Sequence, residues 1–254
     1  MTSWIRQAYG KGIVTTTFPR VPATEEELPH GGRAPIAGPV ELGGLSPEVR
    51  ASCPTGAITA SEIDQGKCVR CARCLSGGLT LAPTTSLNVG RRDQLLWPEG
   101  RPLPRTPGAR APLADLRRSL HVFLIDVGSC QGCNLEVLGL TNPYYDLHRL
   151  GIFFTNSPRH ADVLVVVGVP TAAMVEPLRR TFGAMPAPKA VLAVGACTVD
   201  GGIFADAPAR ATTVAEIVPV DLYVAGCPPP PVAILEGILE LAGRGRAPEG
   251  GPRS

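Results

Sequence analysis

Charge is the first thing this sequence is short of. Asp, Glu, Lys and Arg make up 18% of its 254 residues, against about 25% in an average globular protein. A surface so poor in charge implies that much of it is covered by something else. The charge present nearly cancels, at a net +2, so the basic excess that marks nucleic-acid binders is missing. Long apolar runs are missing too. The longest, Val163 to Pro170, is strand-length, far below the roughly 18 residues of a membrane helix. The opening Met-Thr-Ser-Trp-Ile-Arg-Gln lacks the charged-then-apolar layout of a secretory signal. The expectation is a cytoplasmic chain with no span of its own, able to lie against the inner face of the membrane within a complex. No G-x-G-x-x-G follows a predicted strand, so neither NAD nor flavin is expected.

What abounds is glycine (29) and proline (27), near the level of low-complexity chains. The 44% hydrophobic content still excludes a disordered protein, so the excess belongs in loops and linkers. Eight cysteines in a reducing compartment read as metal ligands or catalytic thiols rather than disulfides. Their placement divides the chain into residues 1–81, a tether at 82–118, a main domain at 119–243 and a flexible tail at 244–254. The tether is dense in proline, glycine and arginine, including Arg91, Arg92, Arg101, Arg105 and Arg110. Those arginines suit either an acidic partner or a solvated polyproline-like spacer, and the spacer is the better expectation.

In the main domain, apolar runs at His121–Val127, Asp162–Gly168, Ala190–Gly195 and Leu222–Ala225 alternate with helix-like stretches at Leu135–Leu150, Thr171–Phe182 and Val232–Ala242. Strands that are apolar along their whole length, alternating with helices, predict a doubly wound α/β fold around a parallel sheet.

Cys68, Cys71 and Cys74 form C-x2-C-x2-C, and Cys53-Pro54 stands upstream. In the bacterial ferredoxin run, three close cysteines ligate one cluster and a fourth, before proline, ligates the other. The companions Cys53 would need at 43, 46 and 49 are Gly43, Ser46 and Val49, and the cross-ligand position after Cys74 is Gly78-Leu79. Every ligand of one cluster is absent and every ligand of the other is present. The segment therefore resembles a two-cluster ferredoxin reduced to one [4Fe–4S] site at Cys53, Cys68, Cys71 and Cys74. A four-cysteine structural zinc site is the competing reading.

Cys130, Cys133, Cys197 and Cys227 each lie just past the carboxyl end of a predicted strand, with a glycine nearby. Ligands of open α/β sheets bind at that edge, and a helix beginning near Asn134 would turn its positive end toward an anionic cluster. The alternative is that Cys197 and Cys227 are ordinary buried fillers. The segments C-Q-G-C-N-L-E, V-G-A-C-T-V-D-G-G-I-F and G-C-P-P-P-P-V-A-I-L resemble the small subunit of [NiFe]-hydrogenases and the homologous 20-kDa-type subunit of complex I. The resemblance implies a flavodoxin-like domain whose four cysteines hold a second [4Fe–4S] cluster facing a catalytic large subunit. The spaced pair Cys130/Cys133 is the hydrogenase form, where the complex I subunit has adjacent cysteines. With neither the export signal nor the C-terminal cluster domain of uptake hydrogenases, the chain is similar to the small subunit of membrane-bound, energy-converting (group 4) hydrogenases, fused to a ferredoxin-like segment. The N-terminal A-Y-G-K-G-I-V-T-T-T-F-P-R and G-G-R-A-P-I look like the lead-in of the ferredoxin-type subunit of complex I and related hydrogenases.

The implied role is electron transfer between a carrier and the nickel-bearing subunit, beside other iron–sulfur or membrane subunits. The implied alternative is a complex I-like quinone- or ferredoxin-linked oxidoreductase with a nickel-free partner, and a zinc-stapled adaptor is the reading from another class. Glu136, three residues after Cys133, occupies a place where the family carries an acid on a proton route; an acid favoured by the helix N-terminus explains it equally well. Asp200, Gly201 and Gly202 either shape the loop after Cys197 or form a plain turn. His30, His121, His148 and His160 show no ligand spacing, so none is expected to bind metal.

Overall fold

The computed structural model describes residues 10–11, 15–16, 18–20, 34–36, 46–82, 89–99, 111–116 and 118–245. His30, Arg101, Arg105, Arg110, most of the N-terminal lead-in and the tail from residue 246 lie outside them. Strand β1 (Ala34–Ile36) pairs antiparallel with β3 (Thr80–Ala82). Between them lie helix α1 (Pro47–Ala51) and strand β2 (Glu62–Asp64). Strands β4 (Val89–Gly90) and β5 (Leu96–Pro98) follow.

The main domain runs β6 (Leu120–Asp126), α2 (Gly132–Gly139), β7 (Ile152–Phe154), β8 (Val163–Val167), α3 (Ala172–Ala184), β9 (Ala190–Val194), α4 (Ala196–Asp200), β10 (Leu222–Val224) and α5 (Pro231–Leu241). Its sheet has the order β4-β10-β9-β8-β6-β7. The five strands from β6 onward are parallel, in the order 2-1-3-4-5 when numbered along the chain. That is the flavodoxin-like doubly wound order, whose ligand crevice opens at the carboxyl ends of the strands. The expected fold class is therefore the observed one.

Burial explains why these runs became strands. Every residue of β8 and β9 is buried, and alternate residues face opposite layers. Val163, Val165 and Val167 pack with Val137 of α2 and with Val232, Leu235 and Ile238 of α5. Leu164 and Val166 pack with Leu178 of α3 and with Val214. Two covered faces leave no polar positions, hence the β-branched texture.

Two stretches differ from expectation. The helix predicted over Leu135–Leu150 stops at Gly139; Asn142-Pro143 breaks it, with Asn142 Oδ1 accepting the Tyr144 N–H at 2.9 Å. A short 3-10 turn at Leu147–Leu150 and the unpredicted strand β7 follow. The second difference is the tether. Residues 89–98 form β4, antiparallel to β10, and β5, antiparallel to β2, with Leu95 and Trp97 buried. Leu113 is buried as well, its N–H donating to Leu241 O at 2.9 Å. Few apolar residues suffice here, because each is fully covered.

Candidate iron–sulfur sites

All eight cysteines are free thiols. Cys53 follows α1, whose N-cap Ser46 Oγ accepts the Val49 N–H at 3.3 Å. Its own N–H donates to Arg50 O at 3.1 Å, and its sulfur accepts the Ala57 N–H at 3.3 Å. After β2 the chain passes through left-handed backbone at Arg70 (φ 58°) and Ala72 (φ 61°). Such a conformation is costly for residues other than glycine and persists where its surroundings enforce it. The result is a cavity of about 80 Å³ lined by Cys53, Cys68, Cys71 and Cys74. Burial, and then the neighbouring Cys68, Cys53 and Cys71, push the Cys74 thiol up to about 11.

The second set gathers at the carboxyl edge of the parallel sheet. Cys130 lies in the loop after β6, Cys133 in the first turn of α2, Cys197 in α4 and Cys227 after β10. The loops bearing the last two are bonded to each other, Ala196 N–H donating to Gly226 O at 2.9 Å. Burial, then Cys197, Cys227 and Cys130, push the Cys133 thiol up to about 12. Burial, then Cys227 and Cys130, push Cys197 up to about 11. These mutual effects put the four thiols close together at that edge.

Glycine makes room for them. A Cβ on Gly195 would stand 2.6 Å from Cys133 Sγ, and its φ of +92° is unfavourable for any other residue. One on Gly202 would stand 3.3 Å from Cys197 Sγ, so that member of the Asp200-Gly201-Gly202 turn does border the site. Among the described residues, no three His, Cys, Asp or Glu side chains converge on a single metal-ion position.

Asp126, unremarked in the sequence, organises the first loop of this site. Its carboxylate accepts the N–H groups of Gly128 and Ser129, both at 2.8 Å, the Ser129 hydroxyl at 2.8 Å and Asn134 Nδ2 at 2.6 Å. Burial raises its pKa, but these bonds outweigh burial and hold it below the usual carboxylate range. An aspartate two residues before glycine at a strand end was the available signal. Glu136 is half-buried on α2, and burial pushes its carboxyl upward. His121 and His148 stack on Phe153, on the far strand β7.

The two sets adjoin. Burial, then Cys130, then Cys68 of the first set raise the Cys227 thiol. The loop carrying Cys68 is fastened to the main domain by Lys67 Nζ to Asp200 Oδ2 at 2.9 Å.

Residues 130–241 match the family described as NADH ubiquinone oxidoreductase, 20 Kd subunit. The chain is 42% identical over 122 residues to the probable membrane-bound hydrogenase subunit mbhJ of Pyrococcus furiosus, an alignment covering 48% of this chain and 73% of that protein. The chain belongs to this family. Another member-like relative, formate hydrogenlyase subunit 7 of Escherichia coli, is 41% identical over 131 residues, 52% of this chain and 51% of that one. Among solved structures, a chain of the membrane-bound sulfane sulfur reductase, an archaeal respiratory membrane complex, aligns with 35% identity and a TM-score of 0.45, over 51% of this chain and 71% of that one. The relatives named are subunits of oxidoreductase complexes, and some of those complexes are membrane-bound. Among the described residues of this 20 Kd-type subunit, no helix is long and apolar enough to cross a membrane.

Proposed function

We propose that the chain is the iron–sulfur electron-transfer subunit of a membrane-bound [NiFe]-hydrogenase complex of group 4 type. It would relay electrons between a carrier and a nickel-bearing large subunit. The observation that carries this is the pairing of two adjoining four-thiol sites in a chain whose relatives include hydrogenase and formate hydrogenlyase subunits.

The donor sets fit iron–sulfur clusters. Four cysteines line a cavity in the first site, and their C-x2-C-x2-C spacing with an upstream Cys-Pro follows the ferredoxin pattern, which favours a cubane over a single zinc. A [4Fe–4S] cluster at each site would supply reversible one-electron chemistry. Cys53, Cys68, Cys71 and Cys74 would hold the first, and Cys130, Cys133, Cys197 and Cys227 the second. The chain's other residues fix the thiols: Asp126 shapes the Cys130 loop, and Ala57 N–H bonds Cys53 sulfur.

The catalytic partner would dock at the second site. Leu135 and Leu138 on α2 are 67% and 53% exposed, and Ile203, six residues past Cys197, is 58% exposed. Large apolar side chains flanking a redox site suit a buried protein interface. Glu136, between the two leucines, would hold a proton beside that interface. The assembly would sit on the inner face of the membrane through its other subunits.

The test is composition and colour. The purified holoprotein should carry iron and acid-labile sulfide at about eight each per chain, as two cubanes require, and the complex it joins should evolve or oxidise hydrogen. Stoichiometric zinc with no sulfide would establish the adaptor instead.

A further inference from the structure

The segment 89–98 pairs with the strands that lead into both sites. At its start, Val89 and Gly90 pair with Val224 and Tyr223 of β10, the strand that leads into Cys227. At its end, Leu96 pairs with Asp64, the last residue of β2, four residues before Cys68. The turn between carries Arg92, whose guanidinium grips both oxygens of the buried Asp64, with Nη1 3.0 Å from Oδ1. Asp64 Oδ1 in turn accepts the N–H of Gly66 at 3.0 Å and of Lys67 at 3.3 Å. It therefore sets the course of the loop that delivers Cys68.

Three further ties hold that loop, one to the 89–98 segment and two to the main domain. Gln65 N–H donates to Leu95 O at 2.8 Å. Gly66 is so close to Val199 that a Cβ there would lie 3.2 Å from its side chain. Lys67 pairs with Asp200, three residues past Cys197. The Arg92 charge also reaches Tyr223 on β10.

We propose that Arg92 is a positioning residue: through Asp64 it fixes the loop before Cys68 against β10, and so sets the spacing between the two cysteine sites across Cys68 and Cys227. An arginine suits the role because its planar fork grips both carboxylate oxygens and cannot lose its charge. A lysine would bind as a point charge and leave the loop freer. The inference rests on the two-cluster reading above.

The test compares the intact complex with one carrying Arg92→Met together with Asp64→Asn. The asparagine still accepts from Gly66 and Lys67, and no buried charge is left unpaired. Only the side-chain grip of Arg92 on Asp64 is cut; the β2–β5 ladder and the bond from Gln65 N–H to Leu95 O stay. Fully reduced wild-type protein should show an electron paramagnetic resonance spectrum split by interaction between its two clusters. The double variant should keep its full iron and sulfide but lose or narrow that splitting. A double variant with full iron and unaltered splitting overturns the proposal, as does a wild-type protein with both clusters and no splitting. If the double variant sheds a cluster, Arg92→Lys decides: narrowed splitting at full iron supports the proposal, and unaltered splitting overturns it. A wild-type complex without iron and sulfide would instead overturn the electron-transfer reading itself, and metal analysis tells the two failures apart.

Discussion

The first thiol set spans residues 53–74 and rests on a small apolar cluster of Ile58, Ile63, Leu79 and Cys74 itself. The second spans residues 130–227 and stands on the rim of a sheet packed on both faces. In the first, sequence proximity brings the sulfurs together and left-handed turns aim them. In the second, strands distant in sequence do so, and the core beneath holds the loops. The comparison predicts that the first site leans on its metal for its fold more than the second, which has a packed sheet beneath it.

The sharpest way to break this comparison is to remove one ligand from each set. Cys227→Ala should stop electron exchange with the catalytic subunit whatever carrier is supplied. Cys68→Ala should stop it with the physiological carrier, while a small dye able to reach the inner site still supports some activity. Dye-linked hydrogen oxidation by the assembled variants checks both, once each is shown to retain its partner. Cys227→Ala with dye activity and Cys68→Ala without it would reverse the assigned order.

A glycine pair sharpens the contrast. Gly195→Ala drives a methyl to within 2.6 Å of Cys133 Sγ, and iron should fall from about eight to about four per chain as the second cubane is lost. Gly56→Ala also meets a positive φ, of +59°, but nothing lies within 4 Å of its new methyl. It should keep full iron and cost about 1–2 kcal/mol of local stability, measurable as a lower thermal midpoint.

Chelation should separate the two regions in time. Stripping the iron should release the amides of β2 and β5 to hydrogen exchange first, while β8 and β9, buried at every position, stay protected. Simultaneous loss of protection would mean that the sheet depends on metal too.

A further contrast is in pH. An unfolded cysteine ionises near 9, but burial and neighbouring thiols push Cys133 up to about 12 and Cys74 and Cys197 up to about 11. Between those values the unfolded chain releases protons that the metal-free fold retains, so metal-free protein should lose stability as pH rises from about 9 toward 12. Metal-loaded protein, its thiolates already deprotonated, should not. Asp126 works in the other direction. Its carboxyl is held low, so its contribution is present above the ordinary carboxylate pKa near 3.8 and is lost as pH falls through its folded value. Equilibrium denaturation across pH, with and without iron, checks both signs.

The sequence made the parallel sheet legible because β8 and β9 are apolar throughout, and the first thiol set because its cysteines obey a local spacing. The second set was legible through strand ends and through resemblance. What escaped was short or relational. Strand β7 is three residues, and β4 is two, too brief for a period to register. The Asp64–Arg92 grip joins residues 28 positions apart, and no motif marks either end. Asp126 was visible only as the last residue of a strand, because its donors are set by the fold of the loop after it.

The antiparallel strand β4 has a consequence for synthesis. Its partner β10, together with Val199 and Asp200, which seat the Cys68 loop, is translated long after residues 46–98 have emerged. Until then the first unit has one flank bare, with only the β2–β5 ladder and the Asp64–Arg92 grip to shape it. Closing the sheet edge is a late, long-range event in folding, and it is the step that brings the two thiol sets side by side.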